Sequence, residues 1–240
     1  MPVLVYGFVE PGTRLRGTAG VDGHEVRTVE AGDVAALVSD LDGDGVEARR
    51  RSVRAFVETL SAALERSTVI PMRFGAVMAS DQEVREELLE PLQEQLRGLL
   101  AEYENLVEMR LVARYDEQRL LAQIVVDNPE IRRLRGSSTQ QVRLGELVAA
   151  AYDRRRAEDV EALLARLRPL IEDEEHDDVP EWGVAASSFL VRRGRLAAFE
   201  QLVARWAEAN AALIRSELAG PMAPFSFVEL ELPAAEASWA

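Results

Sequence analysis

Apolar positions along this chain recur at two spacings, and the changes from one to the other mark out its elements. Val3–Val9 is apolar almost throughout and predicts a buried strand. Pro11, Gly12, Gly17 and Gly20 predict a loop. Glu25–Val29 and Val34–Leu41 read as two more strands, turned by Ala31-Gly32-Asp33, and Asp42-Gly43-Asp44-Gly45 ends the run. Val53, Phe56, Val57, Leu60, Ala63 and Leu64 form a helical stripe within a helix spanning about Val46–Ser67. A second helix is expected from an N-cap at Asp81, with Val84, Leu88, Leu92, Leu96, Leu99 and Tyr103 inward and a kink or break at Pro91.

Beyond Tyr103 the period returns to two. In Glu104–Tyr115 the face of Val107, Met109, Leu111 and Ala113 is the apolar one. Helices are expected over Asp116–Asp127, Ile131–Gly136 and Gln140–Leu167, separated by Asn128-Pro129 and by Gly136-Ser137-Ser138-Thr139. Pro169–Asp178 is acidic and reads as a mobile loop. Gly183–Val191 predicts a strand, and Leu196, Phe199, Leu202, Val203, Trp206 and Leu213 a last helix ended by Gly220–Pro224. A final strand is expected at Phe225–Leu232, before a frayed tail from Pro233 to Ala240.

Strands and helices mix without a regular βαβ series, which predicts an α+β protein. Two domains are expected: an N-terminal α+β sheet domain over residues 1–103, and a ferredoxin-like domain with added helices over residues 104–240.

Thr68–Val77 joins the first two helices. Alternation puts Ile70, Met72, Phe74 and Ala76 on a core face, and Val69, Pro71, Arg73, Gly75 and Val77 on the other. Pro71 gives no ladder donor, which implies an edge strand, a strand start or a bulge, and Gly75 leaves that face open beside Arg73. Two readings stand: Arg73 pairs with an internal carboxylate and holds the fold, or it is a recognition arginine on an accessible strand.

Composition narrows the chemistry. The net charge of −14 repels phosphate backbones, and the clusters Arg49-Arg50-Arg51 and Arg132-Arg133-Leu134-Arg135 read as helix ends, so no nucleic-acid partner is expected. All 28 basic residues are arginine, which excludes a phosphate loop that depends on lysine. No cysteine is present, so thiol chemistry is excluded. No run reaches the ~20 apolar residues of a membrane helix, and the start lacks the pattern of a signal peptide, so no membrane and a cytoplasmic location are expected. Asp40, Asp42 and Asp44 imitate a calcium loop whose closing glutamate would fall at Arg51, and they read as a turn. The run Glu172–Asp178 reads as solvated rather than cation-binding. His24 and His176, both placed in loops, supply neither a transition-metal cluster nor a triad, and Ser187 and Ser188 read as sheet residues. No catalytic constellation and no cofactor site are legible.

Val69–Val77 resembles the V-L-P-L-R-F-G-T-V signature of the gas vesicle GvpL/GvpF family. Val5-Tyr6-Gly7 is similar to that family's first strand, Asp33–Ser39 to its D-L-A-A-L-V-S strand, and Ala186–Val191 to its A-Y-L-V strand. Gly220–Val228 resembles the closing G-P-W-P-P-Y-S-F-V, with Met222-Ala223 in place of Trp-Pro. Arginines around Arg51 stand where the family often has a histidine. The resemblance implies a non-enzymatic assembly factor or minor component of gas vesicles, contacting the hydrophobic shell protein GvpA and other accessory Gvp proteins. Pro71, Arg73, Phe74 and Gly75 are the candidate partner-binding residues. The alternative from the fold alone is a ferredoxin-like small-molecule enzyme or sensor.

Overall fold

The computed structural model describes residues 1–15, 17–43, 45–134, 138–179 and 181–230. Asp44, Arg135, the break at Gly136-Ser137, the end of the expected last strand (Glu231-Leu232) and the tail lie outside the described residues. The chain is a mixed α+β protein with two antiparallel sheets and helices. It groups into two compact units, one of Met1–Glu108 with Pro221 onward, the other of Met109–Gly220.

The first unit is built on β1 (Val3–Val9), buried along its whole length. β2 (Arg27–Ala31) and β3 (Val34–Asp40) form an antiparallel hairpin, and β3 pairs with β1. A bulge between Val5 and Gly7 re-aims Tyr6. Its hydroxyl meets Ser39 Oγ at 2.8 Å and accepts from the Val21 N–H at 2.8 Å. Burial pushes the Tyr6 phenol pKa up. Helix α1 (Arg50–Leu64) turns Phe56, Leu60, Ala63 and Leu64 inward.

The stretch expected as one strand over Thr68–Val77 is two short ones. β4 (Ile70–Pro71) pairs with Gly7 and Phe8, and β5 (Val77–Met78) pairs with Val3 and Leu4. Proline withholds its ladder donor and Gly75 lies at φ 98°, so the chain turns away from β1 between them. Strict alternation fails with it: Val69 and Pro71, expected on the open face, are buried.

The helical run after β5 is capped by Ser80, not Asp81; the Ser80 hydroxyl accepts from the Glu83 N–H. Here α2 (Asp81–Glu83) passes into a π-helical segment, Val84–Leu89, and then α3 (Glu90–Glu102). The expected irregularity at Pro91 takes this form, with the Glu90 N–H reaching back to the Arg85 carbonyl.

In the second unit the strand order is β7-β8-β6-β9. Along the chain these are β6 (Leu106–Tyr115), helices α4 (Glu117–Asp127), α5 (Pro129–Arg133) and α6 (Ser138–Leu167), then β7 (Ile171–His176), β8 (Gly183–Arg192), α7 (Leu196–Asn210) and β9 (Ile214–Met222). Met109, Leu111, Ala113 and Tyr115 of β6 share a core with Phe189 and Val191 of β8, Leu163, Leu164 and Leu167 of α6, and Phe199, Val203 and Trp206 of α7.

Two expectations here are corrected. The acidic segment is a strand, not a loop: β7 pairs antiparallel with β8, and Glu172 is neutralised by Arg192 at 2.9 Å and Arg195 at 3.1 Å. His176 therefore ends a strand, with Nδ1 2.9 Å from Ser187 Oγ. The last strand lies upstream of its expected place. Its alternation of Ile214, Ser216 and Leu218 with exposed Arg215 and Glu217 has period two, whereas Phe225–Phe227 is a turn closed by the Phe227 and Val228 N–H groups on the Pro224 carbonyl.

Candidate partner-binding site

The candidate site is the turn between β4 and β5. The Met72 N–H donates to the Tyr6 carbonyl at 2.9 Å and the Val5 N–H to the Ala76 carbonyl at 2.9 Å, so β1 holds both ends. The Ala76 N–H closes the turn on the Arg73 carbonyl at 3.4 Å. Gly75 takes the left-handed position that such a turn reserves for glycine. At Gly7 a Cβ would come 2.5 Å from the Ile70 carbonyl oxygen, so the close approach of β4 to β1 also requires glycine there.

The four candidate residues are not equivalent. Pro71 is buried in the ladder, and Phe74 is half-buried with its ring edge-on to Phe56, centroids 5.3 Å apart. Phe56 in turn stacks on Tyr6 at 5.2 Å. Arg73 is exposed and, among the described residues, forms no ion pair. The arginine that does bridge elements in this unit is Arg27, whose guanidinium reaches Asp81 at 2.7 Å and Asp40 at 2.8 Å and is held charged by them. Of the two readings of Arg73, internal pairing is thus not what the geometry presents.

Sequence reasoning missed two arrangements. Glu108 of β6, 1% exposed, accepts from the Ser226 N–H at 2.8 Å and the Ser226 hydroxyl at 2.7 Å, while the Tyr103 hydroxyl donates to the Phe227 carbonyl at 2.8 Å. A glutamate set among Leu106, Val107 and Met109 was the available signal. In the second unit the Tyr115 hydroxyl donates to Asp159 at 2.6 Å, Arg155 holds the same carboxylate at 2.8 Å, and Tyr152 packs edge-on against Tyr115 and Trp182. Burial first, then Asp159, raises the Tyr115 pKa far above the ordinary phenol range. No spacing rule joins these residues.

The carboxylates of the calcium-like turn are engaged elsewhere: Asp40 with Arg27, and Asp42 opposite His24 at 3.3 Å. Among the described residues no group of three or more His, Asp or Glu side chains is placed to hold a metal. An open cavity of about 380 Å³ lies between α4 and α6, floored by Leu120, Ile124 and Ala151 and rimmed by Asp127, Arg154 and Glu158. No helix among the described residues is long and apolar enough to cross a membrane.

The family model described as gas vesicle synthesis protein GvpL/GvpF matches residues 2–229. The chain belongs to the GvpL/GvpF family. A gas vesicle protein F from Streptomyces sp. (strain CB03234) is 34% identical over 246 residues, covering 95% of this chain and 100% of that protein. One from Microcystis aeruginosa (strain PCC 7806) is 22% identical, covering 95% and 98%. Two solved folds are alike: GvpF from Anabaena sp. PCC7120 with TM-score 0.82 at 20% identity, covering 96% of this chain and 97% of that one, and GvpF from Microcystis aeruginosa with TM-score 0.81 at 21%, covering 95% and 99%. This GvpL/GvpF member is therefore a gas vesicle protein, and its family is not one of known enzymes.

Proposed function

We propose that this protein is a non-enzymatic assembly factor or minor structural component of gas vesicles, acting from the cytoplasm. It binds the hydrophobic shell protein GvpA and other accessory Gvp proteins, and Arg73 is a point of contact on the first unit. The observation that carries the contact is an exposed guanidinium, without an ion pair among the described residues, on a turn whose ends β1 holds and whose neighbour Phe74 is anchored on Phe56. A fixed turn presents the charge without the ordering cost of a loose loop. A soluble acidic partner would keep an apolar shell subunit dispersed until it joins the wall.

The test is a titration of aggregating shell protein followed by light scattering. The wild-type chain should suppress scattering, and Arg73→Glu should lose most of that effect with its melting temperature unchanged. Scattering unaffected by the wild-type chain would end the shell-binding reading. A large fall in melting temperature for Arg73→Glu would return that arginine to a structural role.

We also read the chain as two domains divided near Tyr103, the second ferredoxin-like with α4, α5 and α6 as enlarged helical connections. Its support is the order strand, helices, strand, strand, helix, strand, with β6 between β8 and β9. The competing small-molecule reading would need the cavity between α4 and α6, and a metabolite that raises the melting temperature would favour it.

A further inference from the structure

β9 is the last strand of its sheet, with β6 on one side and no strand on the other among the described residues. Ile214 is buried and Leu218 packs against the same core, while Arg215 and Glu217 are exposed on the opposite face. The Arg215 side chain is 87% exposed, and Asp116 is its partner at only 3.9 Å. The Leu213 carbonyl accepts from the Asp116 N–H at 2.8 Å and so is turned toward β6. With a period of two, Ile214, Ser216 and Leu218 then present their N–H and C=O groups to the open edge. Such an edge is a template for another strand.

We propose that this edge pairs with β9 of a second copy of the chain, antiparallel and centred on Ser216. Directly opposed residues of an antiparallel pair lie on the same face, so a two-fold axis normal to the sheet must pass through a residue. Centring on Arg215 or Glu217 sets like charges against each other, and centring on Ile214 or Leu218 pairs neither charge. Centring on Ser216 sets Arg215 opposite Glu217 twice and Ile214 opposite Leu218 twice. The Arg–Glu pairs then occupy the non-hydrogen-bonded positions, where side chains approach most closely. The far edge, β7, is closed to the same pairing, because Glu172, Asp173, Glu174 and Glu175 would oppose one another. Five residues a side fall short of the ~1,000 Å² of a stable interface, so the dimer is weak and forms only in concentrated protein.

Sedimentation equilibrium of the full chain at moderate salt tests this. The wild-type chain should shift from monomer to dimer with rising concentration. Arg215→Glu and Glu217→Arg should each remain monomeric with unchanged circular dichroism, since both positions are exposed. An equimolar mixture of those two variants should dimerise again, because one brings only acids to the seam and the other only arginines. The double variant Arg215→Glu/Glu217→Arg should match the wild type. A wild-type chain monomeric throughout would overturn the proposal, as would single variants that dimerise normally or a mixture that does not.

Discussion

At Gly7 the nearest atoms to an added Cβ are backbone, the Ile70 carbonyl oxygen at 2.5 Å and Pro71 Cα at 3.1 Å, and neither can swing aside. Gly7→Ala should therefore cost about 2 to 3 kcal/mol in urea unfolding by forcing β4 off β1. The change should lower the denaturation midpoint with little change in slope. Tyr115 governs a different condition. Its folded pKa is raised by burial and by Asp159, so in the unfolded chain it loses its proton first, near the ordinary value of ~10. The stability it contributes is complete below that pH and falls as pH rises above it, since the folded state then binds more protons than the unfolded one. Tyr115→Phe should flatten the decline of melting temperature above about pH 10, while lowering the neutral-pH value through the lost hydrogen bond to Asp159.

The long elements were legible because their periods are unambiguous. β1, the β2–β3 hairpin, α1, β6 and α6 fall within a few residues of where the apolar spacing puts them. The failures share one cause: the backbone answers to tertiary pairing that no local pattern carries. Glu172–His176 has the composition of a loop, yet β8 offers it a ladder and Arg192 and Arg195 offer Glu172 counter-charges. Acidic side chains on an edge strand also deter stray pairing. Replacing Asp173 and Glu175 with Val should raise aggregation on light scattering while changing the melting temperature by no more than about 0.5 kcal/mol in equivalent stability. The turn at Arg73–Ala76 was half legible. Pro71 announced an interruption and Gly75 an unusual backbone, but only β1 decides that the strand splits there. Gly75→Ala forces a Cβ into φ 98° and should cost about 1 kcal/mol or more by chemical denaturation.

On the scale of the whole molecule, Pro221–Leu230 returns to the first unit, and the Glu108 carboxylate with the Tyr103 hydroxyl receives it at Ser226 and Phe227. A division of the sequence near Tyr103 sets Glu108 and Ser226 together beyond the cut and gives no hint that both group with the first unit. Glu108→Ala leaves the Ser226 N–H without its carboxylate, and hydrogen exchange at that amide should accelerate at least tenfold, the kinetic equivalent of about 1.5 to 3 kcal/mol for bonds to a charged group. This return has a bearing on synthesis. Emerging from the ribosome, the Glu108 carboxylate has acceptor sites that stay empty until Ser226 has been made. The opening unit is thus finished last, so a polypeptide stalled or clipped before Pro221 exposes an incomplete N-terminal half to chaperones and proteases however well the middle has folded.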